Sequence, residues 1–270
     1  MRTVDAHTST LARTATGNIP CTAPVMMETT TVPDRTTMAS MARNETLPSP
    51  VDKVRLNKLL QGYEHQSYII HGFTHGFSLN FQGPDKALNA NNSHSIQELP
   101  HIVQQKLEQE LKLGRIAGPF IQPPFPNFKS SPIALREKST PGKYRMLHNL
   151  SFPYDNNSVN YNIDKTFTTV KYQTLQDAIA LIQEHFPSVY LAKSDIADAF
   201  RIIPISPTQY HLLGFQFEGK YYYEKMLSMG AAPSCQIFEV FSSSLQWILK
   251  TRYNITCIKV LDDFLFVQPS

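Results

Sequence analysis

The sequence predicts an α+β fold. Two long stretches repeat apolar residues at helical spacing, and several short apolar runs bounded by Gly, Pro or Asp read as strands. The two kinds of element follow one another without the regular strand–helix alternation of a doubly wound sheet.

The elements are justified in chain order. Residues 1–50 are dominated by Thr, Pro and Ser and hold no helical or strand period. Such a segment buries too little apolar surface to offset its ordering entropy, so a disordered leader is expected. Composition changes at Val51, and 51–115 reads as a folded N-terminal region leading into 116–270. His71 and His75 are four apart, a spacing that would let a helix present a metal pair. Gly72 and Gly76 argue against a helix there, so surface or packed histidines are preferred. Ile102, Val103, Leu107, Leu111 and Leu113 mark one helical face, with Gly114 as its stop and Pro119 beyond it. The Pro-rich run 122–126 cannot lie inside a helix and leads to a strand near Ser131–Arg136, followed by a hairpin turn at Pro141-Gly142.

Thr174 is the expected N-cap of an amphipathic helix whose inward face is Leu175, Ala178, Ile179, Ile182 and Phe186. "VYLAKSDI", "FRIIPI" and "YYYEKML" read as strands, the last preceded by a Glu218-Gly219 turn. A second long helix should face inward with Ile237, Phe238, Phe241, Leu245 and Ile248. "IKVLDDFLFV" reads as strand, Asp-Asp turn, strand.

Totals narrow the function classes. The chain has 270 residues, is 41% hydrophobic, and carries a net charge of +3, which permits a nucleic-acid partner without requiring one. Three cysteines with no metal-like spacing argue against a disulfide scaffold and for a reducing compartment. No apolar run approaches the roughly 18–20 residues of a membrane span, and no signal-peptide pattern is evident. An intracellular protein of cytoplasm or nucleus, with no membrane partner, is expected. The sequons at Asn91, Asn149 and Asn156 are then incidental.

Asp262 and Asp263 interrupt an apolar stretch. A buried carboxylate costs several kcal/mol unless it is paired or binds a cation, and two neighbours repel. A divalent cation relieves both penalties, and carboxylate oxygens suit Mg²⁺. On that pair alone a plain Asp-rich turn is the better reading. Asp195 changes the balance, because it also ends an apolar strand, although Asp195 or Asp198 would serve equally as a helix cap. If the two strands are neighbours, their carboxylates meet at one edge, the geometry of a site for cations roughly 3.5–4 Å apart.

"SDIADAF", "LSMGAAPSCQIF" and "VLDDF", in that order, resemble the motif set of reverse transcriptases. "GKYRMLHNLSFP" is similar to the fingers strand that precedes those motifs. With "LKLGRIAGPFIQPPFPNF" and "GFTHGFSLNFQGP" it resembles the DIRS-type tyrosine-recombinase retrotransposons more than retroviruses. The resemblance runs from about Val51 to Val267. It implies right-hand polymerase fingers and a partial palm over 116–270, with an antiparallel palm sheet packed on helices. It also implies an RNA-directed DNA polymerase that uses dNTPs, a primer and an RNA or DNA template, with two Mg²⁺ ions for which Mn²⁺ can substitute.

By that resemblance Asp195 and Asp262 bind both metals, Asp263 supports them, and the Ile196 carbonyl assists at the nucleotide metal. Phe200 stands at the ring that closes off the sugar 2′ position; a core phenylalanine is its other reading. Asp198 and Ala199 match the nucleotide-facing turn. Arg145 matches the triphosphate arginine, or else is a solvated hairpin residue. Lys138, Arg136 and, less well, Lys143 compete for the fingers lysine. Met229 and Gly230 begin the long helix beside the nucleotide.

Two departures stand out. Asn149 replaces an expected Asp, and the resemblance stops after the Asp-Asp motif. The expectation is therefore a truncated or partial copy lacking a thumb, with processive synthesis improbable. The alternative is a non-enzymatic nucleic-acid-binding remnant, for which Lys129, Arg136, Lys138, Lys143 and Arg145 interleave with Phe125, Phe128 and Tyr144. An RNA-dependent RNA polymerase is disfavoured by Phe200, and a generic metal hydrolase by the lack of a His/Glu cluster.

Overall fold

A computed structural model describes residues 47–269, so all but the last four residues of the expected leader lie outside the described part. Helix α1 (Lys53–Leu59) starts where the Asp52 side chain accepts from the Val54 and Arg55 amides. Helix α2 (Gln66–His75) follows and contains both His71 and His75. This corrects the expectation that the glycines exclude a helix. Gly72 sits mid-helix because the Phe77 ring lies on it, and a Cβ there would fall 2.3 Å from that ring. Tertiary packing outweighs the helix propensity of glycine. Both histidines face solvent, with ring centroids 4.7 Å apart.

Helix α3 (Ser95–Glu98) leads into α4 (Pro100–Lys112), which buries Val103 and Leu107. Gly114, at φ +67°, turns the chain away as expected. Leu113 lies past the last helical turn and is exposed rather than on the inward face. Val103 and Leu107 join Ile133, Phe215 and Tyr222 in a small core beneath the hairpin of β4 (Ile133–Glu137) and β5 (Tyr144–His148).

The larger sheet is mixed. It contains β1 (Leu88–Asn89), β2 (Ile116–Phe120), β3 (Lys129–Ser130), β7 (Gly214–Phe217) and β8 (Lys220–Glu224) in the order β1-β3-β7-β8-β2. The β1–β3 and β3–β7 pairs are parallel and the others antiparallel. Strands β1 and β3 have two residues each, too short to show an alternating pattern in sequence. The β7–β8 hairpin turns at Glu218 and Gly219, both at positive φ, as the sequence suggests. "FRIIPI" is not a strand. Residues Ala199–Ile202 form a 3₁₀ turn, and Pro204 makes a single bridge to Met226.

The sheet expected to be antiparallel is a separate three-stranded one, ordered β6-β10-β9, built from β6 (Val189–Asp195), β9 (Thr256–Val260) and β10 (Asp263–Pro269). It rests on the 20-residue helix α6 (Ser234–Tyr253), whose Ile237, Phe238, Phe241 and Ile248 are buried and whose Leu245 packs on the same core. Polar ties fix β9 to this helix. Gln246 donates to the Cys257 carbonyl at 2.6 Å, Lys250 donates to the Thr256 hydroxyl at 2.9 Å, and the buried Lys259 ammonium reaches Glu239 at 2.5 Å. Burial lowers the Lys259 pKa, and Glu239 works against that shift.

Helix α5 (Leu175–Glu184) starts at Thr174 in a capping box with Asp177. Its expected inward face is largely open, with Leu175 77% and Phe186 76% exposed and only Ala178 buried. Ile182 of that face is half-buried. Among the described residues, no helix is long and apolar enough to cross a membrane.

Candidate active site

The acids are brought together by strand pairing. Strand β6 ends at Asp195, which lies directly opposite Asp263 in the β6–β10 ladder. Asp262 occupies the tight β9–β10 turn with Leu261, which adopts φ +53°. The turn is thus Leu261-Asp262 rather than Asp-Asp, and Asp263 is already in the strand. A non-glycine residue in this region is held there only when its surroundings over-determine it. Here the Leu261 side chain packs against the main core, and the Ile196 amide donates to the Asp262 carbonyl at 3.0 Å.

The Asp195 side chain lies close enough to Asp262 to bear on its ionisation. Burial first, and then the negative charges of Asp195 and Asp263, push the Asp262 carboxyl above its ordinary pKa; its own amide opposes the shift. The Asp263 carboxylate is engaged by the exposed Lys193 at 2.9 Å. Among the described residues no three His, Cys, Asp or Glu side chains form a metal-holding group. The donor set is therefore a pair of hard carboxylate oxygens, which fits a divalent cation that takes its other ligands from water and phosphate.

Asp195 and Asp262 line a cleft of about 450 Å³. Asp198, Ala199 and Phe200 of the 3₁₀ turn line it too. Asp198 adopts φ +56°, and Arg115 holds its carboxylate at 2.9 Å. The Ala199 amide donates to the Ile196 carbonyl at 3.3 Å, so that amide is already engaged. Phe200 lies between the core and the cleft. Its ring packs on Phe238 at a centroid distance of 5.2 Å and also borders the cleft.

Of the competing basic residues, Lys138 and Arg145 line the cleft, whereas Arg136 and Lys143 are not among its lining residues. Arg136 lies directly opposite Arg145 in the ladder, and beyond the strand end the Lys138 amide donates to the Lys143 carbonyl at 2.7 Å. Arg145 reaches the Met229 sulfur at 3.9 Å across the cleft. Gly230 precedes α6 by four residues rather than starting it, and it is closely packed. A Cβ there would fall 1.8 Å from the His148 carbonyl oxygen.

Sequence reasoning missed the back wall. Arg201 bridges Glu110 of α4, at 2.6 Å, and Glu224 of β8. His148 lies 3.3 Å from Glu224 and 3.0 Å from the Gly214 carbonyl. Burial opposes ionisation of Glu224, but Arg201 and His148 outweigh it and lower that carboxyl to about 2. Arg201 remains a cation because Glu224 and Glu110 overcome its own burial. These groups come from α4, β5, β8 and the 3₁₀ turn, so no local spacing announces them.

The basic–aromatic patch considered for single-stranded nucleic acid is divided: Arg136, Lys138, Lys143 and Arg145 are exposed, whereas Lys129 and its aromatic neighbours turn inward. Lys129 and Phe128 are each 2% exposed, with the Lys129 ammonium over the Phe81 ring, and Phe125 packs into the core. Lys129 lies in β3 of the mixed sheet, whose pairing turns it inward.

Fold and site together define a mixed α+β protein with an acid-bearing hairpin beside a cation-lined cleft, and the fold resembles part of a retroviral reverse transcriptase. No family model and no curated protein matches the sequence. Among solved structures, the chain is similar to a CSH mutant of prototype foamy virus protease–reverse transcriptase. That likeness has a TM-score of 0.52 at 18% identity, over 86% of this chain and 29% of that one. The foamy viral protease–reverse transcriptase in complex with dsDNA is similar at 18% identity and TM-score 0.49, over 90% of this chain and 47% of that one. The chain thus spans under a third of the first of these proteins and under half of the second. At such identity the likeness is one of fold.

Proposed function

We propose that this chain carries the nucleotide site of an RNA-directed DNA polymerase of a retroelement. The DIRS-type retrotransposon is the finer reading, supported by the sequence phrases quoted above. In the reaction a primer 3′-hydroxyl attacks the α-phosphate of a dNTP, the bond between the α-phosphorus and its bridging oxygen breaks, and pyrophosphate leaves. The partners are an RNA or DNA template with its primer.

One observation carries this reading: two carboxylates held side by side by strand pairing face unpaired cationic side chains across one cleft. Two Mg²⁺ ions, or Mn²⁺ in their place, are the proposed cofactors; when bound they neutralise charge at phosphorus and lower the pKa of the attacking hydroxyl. Asp195 and Asp262 hold them, with the Ile196 carbonyl nearby and Asp263 adding negative charge. Lys138 and Arg145 receive the triphosphate, and Arg145 suits its oxygens by presenting a planar fork of donors. Phe200 borders the space for the sugar, where a flat ring disfavours a 2′-hydroxyl. Met229 faces Arg145 across the same space.

Nucleotide binding tests the proposal. Titration with dTTP should show affinity that depends on Mg²⁺ and is lost in Asp262→Asn. Equal affinity in the variant, or equal affinity in EDTA, would overturn it.

A further inference from the structure

The cleft contains a cation that the motifs do not account for. Lys106 projects from α4 into the same space as Lys138 and Arg145. Its neighbours on the helix face, Gln109 and Glu110, line the cleft as well. Glu110, the nearest acid on that face, is taken up by Arg201 at 2.6 Å and approached by Arg115 at 3.8 Å.

The charges of the cleft are segregated rather than mixed. Arg201 bridges Glu224 and Glu110, and Arg115 holds Asp198. Lys106, Lys138 and Arg145 have no ion-pair partner within 4 Å among the described residues, while the charges of Asp195 and Asp263 both bear on Asp262. Lys106 is half-buried. Burial first, and then the positive charge of Lys138, lower its pKa, with Glu110 opposing. Neighbouring like charges are unfavourable until an anion enters between them.

We infer that Lys106 is a third phosphate-binding cation of this cleft, which with Lys138 and Arg145 grips the polyphosphate end of the incoming nucleotide and so selects triphosphates over monophosphates. The inference rests on the nucleotide reading given above and adds a specificity residue from outside its motifs. A monophosphate held at the acids would leave the cation wall empty, whereas a triphosphate spans from one wall to the other. A charge-assisted hydrogen bond contributes about 1.5–3 kcal/mol, roughly ten- to hundredfold in affinity.

The test uses the full chain and calorimetric titration with dTTP and dTMP in Ca²⁺, and with inorganic tripolyphosphate in EDTA. Lys106→Gln should weaken dTTP and tripolyphosphate about tenfold or more and change dTMP little. Lys106→Arg should restore much of the loss, and Lys112→Gln, a lysine of α4 that is not among the cleft-lining residues, should behave as the parent. Thermal melts of each variant separate lost binding from lost folding. An unchanged preference for dTTP over dTMP in folded Lys106→Gln overturns the inference. If Asp262→Asn still abolishes dTTP binding in that case, the nucleotide reading survives alone. Tripolyphosphate binding that depends on Lys106, without any Ca²⁺-dependent dTTP binding, would keep the polyanion grip and remove the polymerase reading. No binding of either probe overturns both.

Discussion

The acid wall of the cleft is held by main chain, whereas its cation wall is held by side chains. Asp195 and Asp262 owe their meeting to the ladder between β6 and β10, the Ile196–Asp262 hydrogen bond and the fixed turn at Leu261. Lys106, Lys138 and Arg145 come from a helix and a hairpin, at the ends of long side chains with several rotamers. The back wall of Arg201, Glu110, Glu224 and His148 joins the two. Under the function proposed above, the difference would separate two tasks: carboxylates that hold a small hard cation need fixed spacing, while cations that meet a flexible polyphosphate tolerate adjustment.

That contrast is most sharply broken at the junction. Glu224→Ala should destabilise the protein by about 3–5 kcal/mol, because it leaves Arg201 without one of its two carboxylates in a buried setting. Denaturant unfolding checks this, and a change below about 1 kcal/mol would mean that the two walls are not joined there.

The acid sensitivity of that junction follows from its pKa. Glu224 falls from 4.5 to about 2 on folding, so its contribution is complete above about pH 4.5 and is lost as pH falls toward 2. The contribution is roughly 3 kcal/mol. Thermal melts between pH 5 and pH 2.5 should fall more steeply for the parent than for Glu224→Gln. Parallel curves would assign the acid sensitivity to other groups.

Smaller effects are expected at the acids. Asp195→Asn in EDTA should raise the melting temperature slightly, since it removes one of two facing negative charges, while nucleotide binding is lost. A fall in melting temperature would show that the apo acid pair is stabilising. Least of all, Asp263→Asn should alter stability by no more than about 1 kcal/mol, because its partner Lys193 is an exposed lysine.

The acid wall was legible in sequence because each of its parts is local: an apolar strand ending in Asp195, and a hairpin around Asp262. Thr174 as N-cap, the inward face of α6 and the Glu218-Gly219 turn were readable for the same reason. The cation wall was readable only where the hairpin motif reached. Lys106 lies on a helix among Gln104, Gln105, Glu108 and Gln109, a pattern that any solvated helix face shows. Gly72 misled because its tolerance in α2 depends on Phe77 folding back over it. Lys129 and Leu175 misled in opposite directions, one buried with a ring partner and the other left open, since burial follows sheet order rather than residue type. The mixed sheet itself escaped because two of its strands are dipeptides.

The missing side chain at Gly230 has a mechanical consequence. The loop bearing Met229 and the end of the strand bearing Arg145 are pressed together there, backbone against backbone, with no room for even a methyl group. His148, three residues beyond Arg145 in β5, is therefore a fixed point at which the strand and the loop ahead of α6 cannot close any further.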